Sequence, residues 1–146
     1  MSSQPARIFG DTDSLISLAL SNQRTHQRVH DTTEKLLENL KVVYFPFPIL
    51  METAVTLSRK FNDKVKARLL VKQFLSGVFN VIYPTEEVCK RAARIYVEKS
   101  TSKKNTLFDA LVAACAEDLG AEAILSLDEW YQKLGFKLAE DLFRPN

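Results

Sequence analysis

The sequence has little of what marks secreted, disulfide-stabilised or membrane-spanning proteins. It contains two cysteines among 146 residues. Cys89 and Cys115 lack the spacing of a zinc site or a thiol pair, so we expect them to be small buried side chains in helices. No apolar run approaches the roughly 20 residues that cross a bilayer, and no apolar signal region follows Met1. We therefore expect a soluble, cytoplasmic protein without a membrane partner.

Glycine and proline are scarce, with four and five residues respectively, and their positions are regular. Gly77, Gly120 and Gly135 each follow a helical pattern, where a left-handed residue ends a helix. Prolines stand at the far ends of two strand-like runs, 42–45 and 78–83. The alternation of strand, helix and glycine is typical of βαβ units and predicts an α/β protein with a parallel sheet.

The length and the apolar pattern predict a single domain over residues 1–146, with a flexible N-terminus over residues 1–6. The predicted strands cover residues 8–9, 42–45, 78–83 and 121–125. The predicted helices cover residues 14–20, 25–40, 48–60, 63–75, 85–99 and 106–118.

Four carboxylates follow these elements in a related way. Asp11 and Asp128 come directly after the first and last predicted strands, and Glu52 lies early in the helix after the second. Asp109 lies in the first turn of the helix that leads into the last strand. Because parallel strands end at one edge of a sheet, where ligands bind in such folds, we expect all four acids at that edge.

Clustered acids need protons, basic partners or a divalent cation, because each pair at about 4 Å costs roughly 4 kcal/mol at an effective dielectric near 20. Oxygen ligands without His or Cys favour Mg²⁺ or Mn²⁺, and such a cation can activate water against a phosphodiester. Each acid also has a structural alternative: Asp11 and Asp128 as helix caps, Asp109 as a helix-dipole partner, and Glu52 as a partner of Arg59.

The net charge of +2 does not indicate a nucleic-acid-binding protein, but the distribution of charge is uneven. Basic residues dominate 59–72 and 90–104, and the chain after residue 105 is acidic. These stretches predict a phosphate-attracting rim, and the alternative is that they are solvated helix faces. The residues that we expect to bind RNA are Arg59, Lys60, Lys103 and Lys104.

Four segments, in order and over nearly the whole chain, resemble the motifs of PIN-domain ribonucleases. They are residues 8–16, which include Asp-Thr-Asp-Ser, then 48–52, 108–114 and 126–128. The resemblance implies a three-layer α/β/α sandwich around a parallel sheet of four to five strands. It also implies Mg²⁺- or Mn²⁺-dependent endonucleolytic cleavage of RNA, often by the VapC-like toxin of a toxin–antitoxin pair. We therefore expect an RNA substrate and an antitoxin partner, and we also expect a homodimer.

By motif position, the resemblance implies particular roles for the site residues. The catalytic metal ligands would be Asp11, Glu52, Asp109 and Asp128. Thr12 and Ser126 would be supporting hydroxyls. The chain departs from the family at two positions: Asp13 adds a charge where Ser or Asn is more common, and Gly10 replaces a larger strand residue.

Two alternative functions stay open. Asp11 and Asp13 also resemble the Asp-x-Asp opening of haloacid-dehalogenase-like phosphatases, with Asp11 as nucleophile and Asp13 as general acid/base. Those enzymes need a clustered acidic pair after a later strand, which Asp109 and Asp128, nineteen residues apart, do not supply. The other alternative is a non-catalytic PIN-like module that binds RNA or a protein.

Two residue pairs have both a functional and a structural interpretation. His26 and His30 are four residues apart on a helix, but we see no Glu or Cys on that face and expect solvated histidines rather than a metal site. Trp130 and Tyr131 follow Asp128 and have the rings to stack on a base. We expect them instead to pack the last helix against the sheet.

Overall fold

The computed structural model describes residues 6–145, in which four parallel strands form one sheet. The strands are β1 (Arg7–Gly10), β2 (Val42–Pro46), β3 (Asn80–Ile82) and β4 (Ala123–Leu125). Their order across the sheet is β3-β2-β1-β4. Strand β1 pairs with a neighbour on each side, and its Phe9 lies opposite Tyr44 in β2 and opposite Ile124 in β4. The carboxyl ends of all four strands therefore lie at one edge, as predicted.

Seven α-helices and one short 3-10 helix complete the described part of the chain. The helices are α1 (Thr12–Ala19), α2 (His26–Glu38), α3 (Phe47–Arg59), α4 (Lys64–Leu75), α5 (Glu86–Lys99), α6 (Leu107–Asp118) and α7 (Trp130–Lys133), and the 3-10 helix is Ala139–Phe143. No helix within residues 6–145 has both the length and the apolar character needed to span a membrane.

Successive residues of the strands point to opposite faces, and each face has its own apolar cluster. Ile8 packs with Val29 and Leu36 of α2, whereas Phe9 and Ile124 pack with helices α3, α5 and α6 on the other face. Helix α6 is buried throughout 110–116, a run rich in alanine that allows close contact with the sheet. This confirms the three-layer α/β/α sandwich with a parallel sheet.

The three glycines that follow helical patterns have the backbone conformation predicted for them, because glycine adopts a positive φ without steric cost. Gly77, Gly120 and Gly135 have φ of +77°, +61° and +99°, which confirms the left-handed residues expected after helices. The third strand is shorter than predicted, 80–82 instead of 78–83. Val78 and Tyr83 are exposed and lie outside the ladder with β2.

The predicted flexible N-terminus falls mostly outside the described residues, since 1–5 are not among them. Ala6 is described, and its carbonyl accepts a hydrogen bond of 3.0 Å from the Val42 N–H. The sheet has four strands within residues 6–145, the lower of the two numbers expected.

Candidate functional site

Asp11 lies at the centre of the carboxyl edge, directly after β1, and its side chain is only 1% exposed. One carboxylate oxygen accepts from the Ser14 N–H at 2.9 Å, and the other accepts from the Ser126 hydroxyl at 2.6 Å. Burial raises the pKa of Asp11 to about 7, although both hydrogen bonds lower it. Asp11 therefore caps α1, the structural role considered above, and is also a buried carboxyl that ionises near neutral pH.

Ser126 connects the ends of β1 and β4. Its hydroxyl donates to Asp11 and accepts from the Asp128 N–H at 3.0 Å. The side chain of Asp128 in turn accepts from the N–H of Trp130, where α7 begins, at 2.9 Å. One hydroxyl thus fixes the position of two of the predicted acids. Asp128 accepts from the first residue of α7, but the N-cap of that helix is Glu129.

Thr12 connects α1 to α3, because its hydroxyl donates to Oε1 of Glu52. Glu52 is half-buried in the second turn of α3. Burial raises its pKa, the Thr12 hydrogen bond lowers it, and the charges of Asp109 and Asp13 raise it further. The carboxylate of Glu52 is therefore held at the same edge as Asp11.

Asp109 occupies the first turn of α6 in a capping box. Its side chain accepts from the Thr106 N–H at 2.9 Å, and its own N–H donates to the Thr106 hydroxyl at 3.2 Å. The Tyr131 hydroxyl donates to the other carboxylate oxygen at 3.4 Å. Burial raises the pKa of Asp109, and so do the charges of Asp128 and Asp13.

Sequence reasoning missed Thr106 and Tyr131 as supporting residues. The spacing Thr106-x-x-Asp109 is a capping-box signal that identifies the first. No local signal identifies the second, because Tyr131 meets Asp109 only through the packing of α7 against α6. Trp130 and Tyr131 are 4% and 0% exposed, which confirms that they pack rather than present their rings.

The acids form one electrostatic neighbourhood rather than a closed cage. Asp13 raises the pKa of Asp11, Glu52 and Asp109, and Asp128 raises the pKa of Asp13 and Asp109. Within residues 6–145, however, no three of these acids bring ligand oxygens within 4.8 Å of one another. Oxygens bound to one Mg²⁺ lie at most about 4.2 Å apart, since each bond is about 2.1 Å. The donor set fits a hydrated cation held directly by one or two carboxylates.

A cleft of about 550 Å³ lies beside this edge and is lined by Asp13 and Asp128 together with Lys60, Lys103 and Lys104. Lys60 is near enough to Asp13 to lower its pKa. Of the four basic residues predicted to bind RNA, three line the cleft, and Arg59 lies in the last turn of α3 outside its lining.

The predicted basic rim is only partly formed. Within α5, Lys90, Arg91 and Arg94 lie within 4.0 Å of carboxylates of Glu86, Glu117 and Glu87, respectively. These three cations are thus partners of surface acids. The positive charge of the cleft comes instead from Lys60, near the start of the first basic stretch, and from Lys103 and Lys104, at the end of the second.

The expectation that no acid accompanies the α2 histidines was wrong. His30 lies 3.7 Å from Glu34 and 3.9 Å from Asp31, and the three have ligand atoms within 4.8 Å of one another. The sequence signal was available, since Glu34 is four residues after His30 on the helix. Both acids are exposed, and the trio lies on the outer surface of α2.

The comparisons with known proteins concern the family and the fold of the chain. The family model described as PIN domain matches residues 8–137. The chain belongs to the PIN domain family. The match includes the ends of β1 and β4 and all four predicted metal ligands of this PIN domain.

Two solved structures resemble the PIN domain described here. One is VapC20 of Mycobacterium tuberculosis, described as a toxin that cleaves the sarcin-ricin loop. It has 22% identity and a TM-score of 0.74, covering 88% of this chain and 95% of that one. The other is a chain of a toxin–antitoxin complex from Klebsiella pneumoniae, with 20% identity, a TM-score of 0.53, and coverage of 84% and 87%. A comparison with curated proteins gives no match. At these identities the structures support the fold.

Proposed function

We propose that this PIN domain is a cytoplasmic endoribonuclease that requires Mg²⁺ or Mn²⁺. The observation that carries the proposal is the juxtaposition of buried and half-buried acids with a lysine-lined cleft. The pKa of Asp11 is about 7, and those of Glu52 and Asp109 are raised. Such groups are stabilised as anions by a divalent cation, and the cleft beside them has the charge to bind a phosphate backbone.

Four acids would surround the hydrated cation, one or two binding it directly and the others through its waters: Asp11, Glu52, Asp109 and Asp128. When bound, it supplies charge neutralisation at a phosphodiester and makes an attacking water more acidic. The chain's own hydroxyls orient these acids, Thr12 through Glu52 and Ser126 through Asp11. Asp13 is exposed and adds negative charge to the lining of the cleft.

Substitution of single acids tests this function. Asp11→Asn or Asp109→Asn should lower cleavage of an RNA pool at least 100-fold in Mg²⁺ or Mn²⁺, because each removes a charge that holds the cation. Asp118→Asn is the matched control, an exposed acid at the end of the same helix as Asp109. EDTA should abolish wild-type cleavage. Full activity of the Asp11→Asn/Asp109→Asn double variant in Mn²⁺ would contradict the proposal.

Two further assays separate the alternatives. A phosphatase would hydrolyse small phosphomonoesters and form a phosphorylated Asp11, and the PIN family assignment gives no support to that activity. A non-catalytic module would retain RNA and release it intact in Mg²⁺.

We also propose that the protein acts as a toxin with a protein antitoxin, and as a homodimer. The support for the toxin role is the similar fold of VapC20 and of a chain from a toxin–antitoxin complex, whereas the homodimer stays a prediction. Light scattering after gel filtration should give twice the 16.6 kDa mass of the chain. Expression of the wild type, but not of Asp11→Asn, should arrest growth of the host, and a neighbouring gene for a small DNA-binding protein should relieve the arrest.

A further inference from the structure

We infer that the cleft beside the acid edge receives one unpaired nucleotide next to the cleaved phosphodiester, and that Gln23 reads the edge of its base. This inference rests on the proposed nuclease function and deepens it, because it assigns a sequence preference to a named residue. It concerns the wall of the cleft formed by the connection between α1 and α2.

The dimensions and charges of the cleft suit a nucleotide. Its volume of about 550 Å³ is within the range of small-molecule sites, roughly 300–1,000 Å³. Asp13 and Asp128 line it together with Lys103 and Lys104 from the connection between α5 and α6. A strand whose scissile phosphate lies at the acids would place the neighbouring phosphates within reach of these lysines.

The remaining wall is neutral and firmly built. Ser17 and Thr25 share a hydrogen bond between their hydroxyls, and Nδ1 of His26 lies 2.7 Å from the Ser17 carbonyl oxygen. The Gln23 N–H donates to the Leu20 carbonyl at 3.0 Å, and the Gln23 carbonyl accepts from the His26 N–H at 3.0 Å. The backbone of Gln23 is therefore fixed at the cleft on both sides.

The side-chain amide of Gln23, in contrast, makes no hydrogen bond with any residue of the described chain. It offers two donor hydrogens and an acceptor oxygen, the groups that pair with the polar edge of an unstacked base. Ser17 and Thr25 share a hydrogen bond, whereas the amide of Gln23 has none within residues 6–145, so Gln23 is the side chain of this wall with the most free hydrogen-bonding capacity.

Apolar groups supply a surface for the face of the base. Phe61 and Ile16 line the same cleft, and Phe61 is only partly buried. The Lys60 ammonium lies 5.5 Å from the centre of the Phe61 ring. An aromatic surface beside a cation is a common platform for single-stranded nucleic acid. These features favour RNA over a peptide as the occupant.

The test uses the full chain and a pool of RNA oligonucleotides randomised around the cut site, with sequencing of the products. The wild type should prefer one base at one position adjacent to the cut. Gln23→Ala should reduce that preference roughly five-fold, the effect of one ordinary hydrogen bond. Gln27→Ala is the matched control, because Gln27 lies in the first turn of α2 and bonds to Asp31 instead, and its base preference should equal that of the wild type.

A second pair of substitutions separates base reading from phosphate binding. The Lys103→Ala/Lys104→Ala variant should cleave all sequences more slowly by a similar factor, with the base preference unchanged. Binding of four-nucleotide homopolymers to the Asp11→Asn variant gives a readout without cleavage. In that background, Gln23→Ala should equalise the affinities that differ among the homopolymers.

The outcomes distinguish the two proposals. Cleavage by the wild type with no base preference adjacent to the cut, or with a preference that Gln23→Ala leaves intact, would overturn this inference and leave the nuclease standing. No cleavage by the wild type in either metal would contradict the proposed function. If Gln23→Ala weakened binding of a protein partner and left the RNA profile unchanged, the cleft would be a protein-binding site and the inference would be wrong.

Discussion

At the scale of single residues, the raised pKa of Asp11 should make the stability of the protein depend on pH. In the folded protein the buried carboxyl of Asp11 has a pKa of about 7, against an ordinary value of 3.8. A raised pKa means that the folded state binds the proton more tightly than the unfolded state. The proton on Asp11 therefore stabilises the folded state fully below pH 3.8, and this stabilisation is lost as the pH rises through about 7.

We therefore expect the metal-free protein to become less stable as the pH rises from 4 to about 7. The free energy of unfolding should fall by at most about 1.4 kcal/mol per pH unit for this one proton. Urea denaturation in EDTA at a series of pH values measures the slope, which Asp11→Asn should reduce. Stabilisation by Mg²⁺ should increase over the same range, because the cation competes with the proton. A slope equal in the wild type and Asp11→Asn would contradict this origin.

Ser126 offers a second prediction at this scale. Ser126→Ala removes a buried donor to Asp11 and an acceptor for the Asp128 N–H. The loss should lower the free energy of unfolding by about 1–3 kcal/mol. Because that hydrogen bond lowers the pKa of Asp11, the acidic limb of the pH–rate profile should move to higher pH. Ser21→Ala, at an exposed position, should leave both measurements unchanged.

At the scale of the elements, Gly10 at the end of β1 shows why the chain has a glycine at this position. A Cβ on Gly10 would overlap the ring of Phe45 in β2 and lie 2.9 Å from its Cζ. Phe45 is 5% exposed and packs edge-on against Phe79. The ring of Phe45 takes the space that a side chain at position 10 would occupy.

Gly10→Ala should therefore destabilise the protein by about 1–3 kcal/mol through overpacking. Phe45→Leu alone should also destabilise it, by leaving a cavity. The double variant should lose less stability than the two single variants together, because the smaller leucine leaves room for the new methyl group. Thermal or urea unfolding of the four proteins measures the coupling, and strict additivity would contradict the steric explanation.

The elements were predictable because local signals reported them. The Thr85 hydroxyl caps α5 by accepting from the Val88 N–H at 3.2 Å, and a threonine directly before two glutamates is the local sequence signal for such a cap. The length of β3 was not predictable in this way, since pairing with β2 and not apolar character decides which residues of 78–83 join the sheet.

The part of the candidate site that lies at strand ends was predictable from the sequence, and the part that depends on helix packing was not. Asp11 and Asp128 could be placed at one edge because each follows a strand, and the carboxyl ends of parallel strands lie at the same edge of the sheet. The contact of Tyr131 with Asp109, and the choice of Lys60 rather than Arg59 to line the cleft, depend on how helices pack. Packing joins residues distant in sequence, and a single sequence carries no local signal for it.

At the scale of the whole molecule, the net charge of +2 hides a separation of charge. The proposed RNA site combines acids that hold a cation with lysines that hold phosphates, so binding should weaken with salt. The Lys103→Ala/Lys104→Ala variant should bind RNA more weakly and show a shallower slope of log affinity against log salt, reduced by about 1.4 for two single-strand contacts. Lys64→Ala/Lys66→Ala on α4, outside the cleft lining, should keep the wild-type slope.

The bond between Ser126 and Asp11 joins residues that are 115 positions apart, and this has a consequence for synthesis. A ribosome makes the first carboxylate early and the strand that completes its surroundings almost last. Until β4 has emerged and docked beside β1, the nascent protein has only part of its acid edge. The order of translation thus delays completion of the acid edge, and of any activity that depends on it, until the chain is nearly finished.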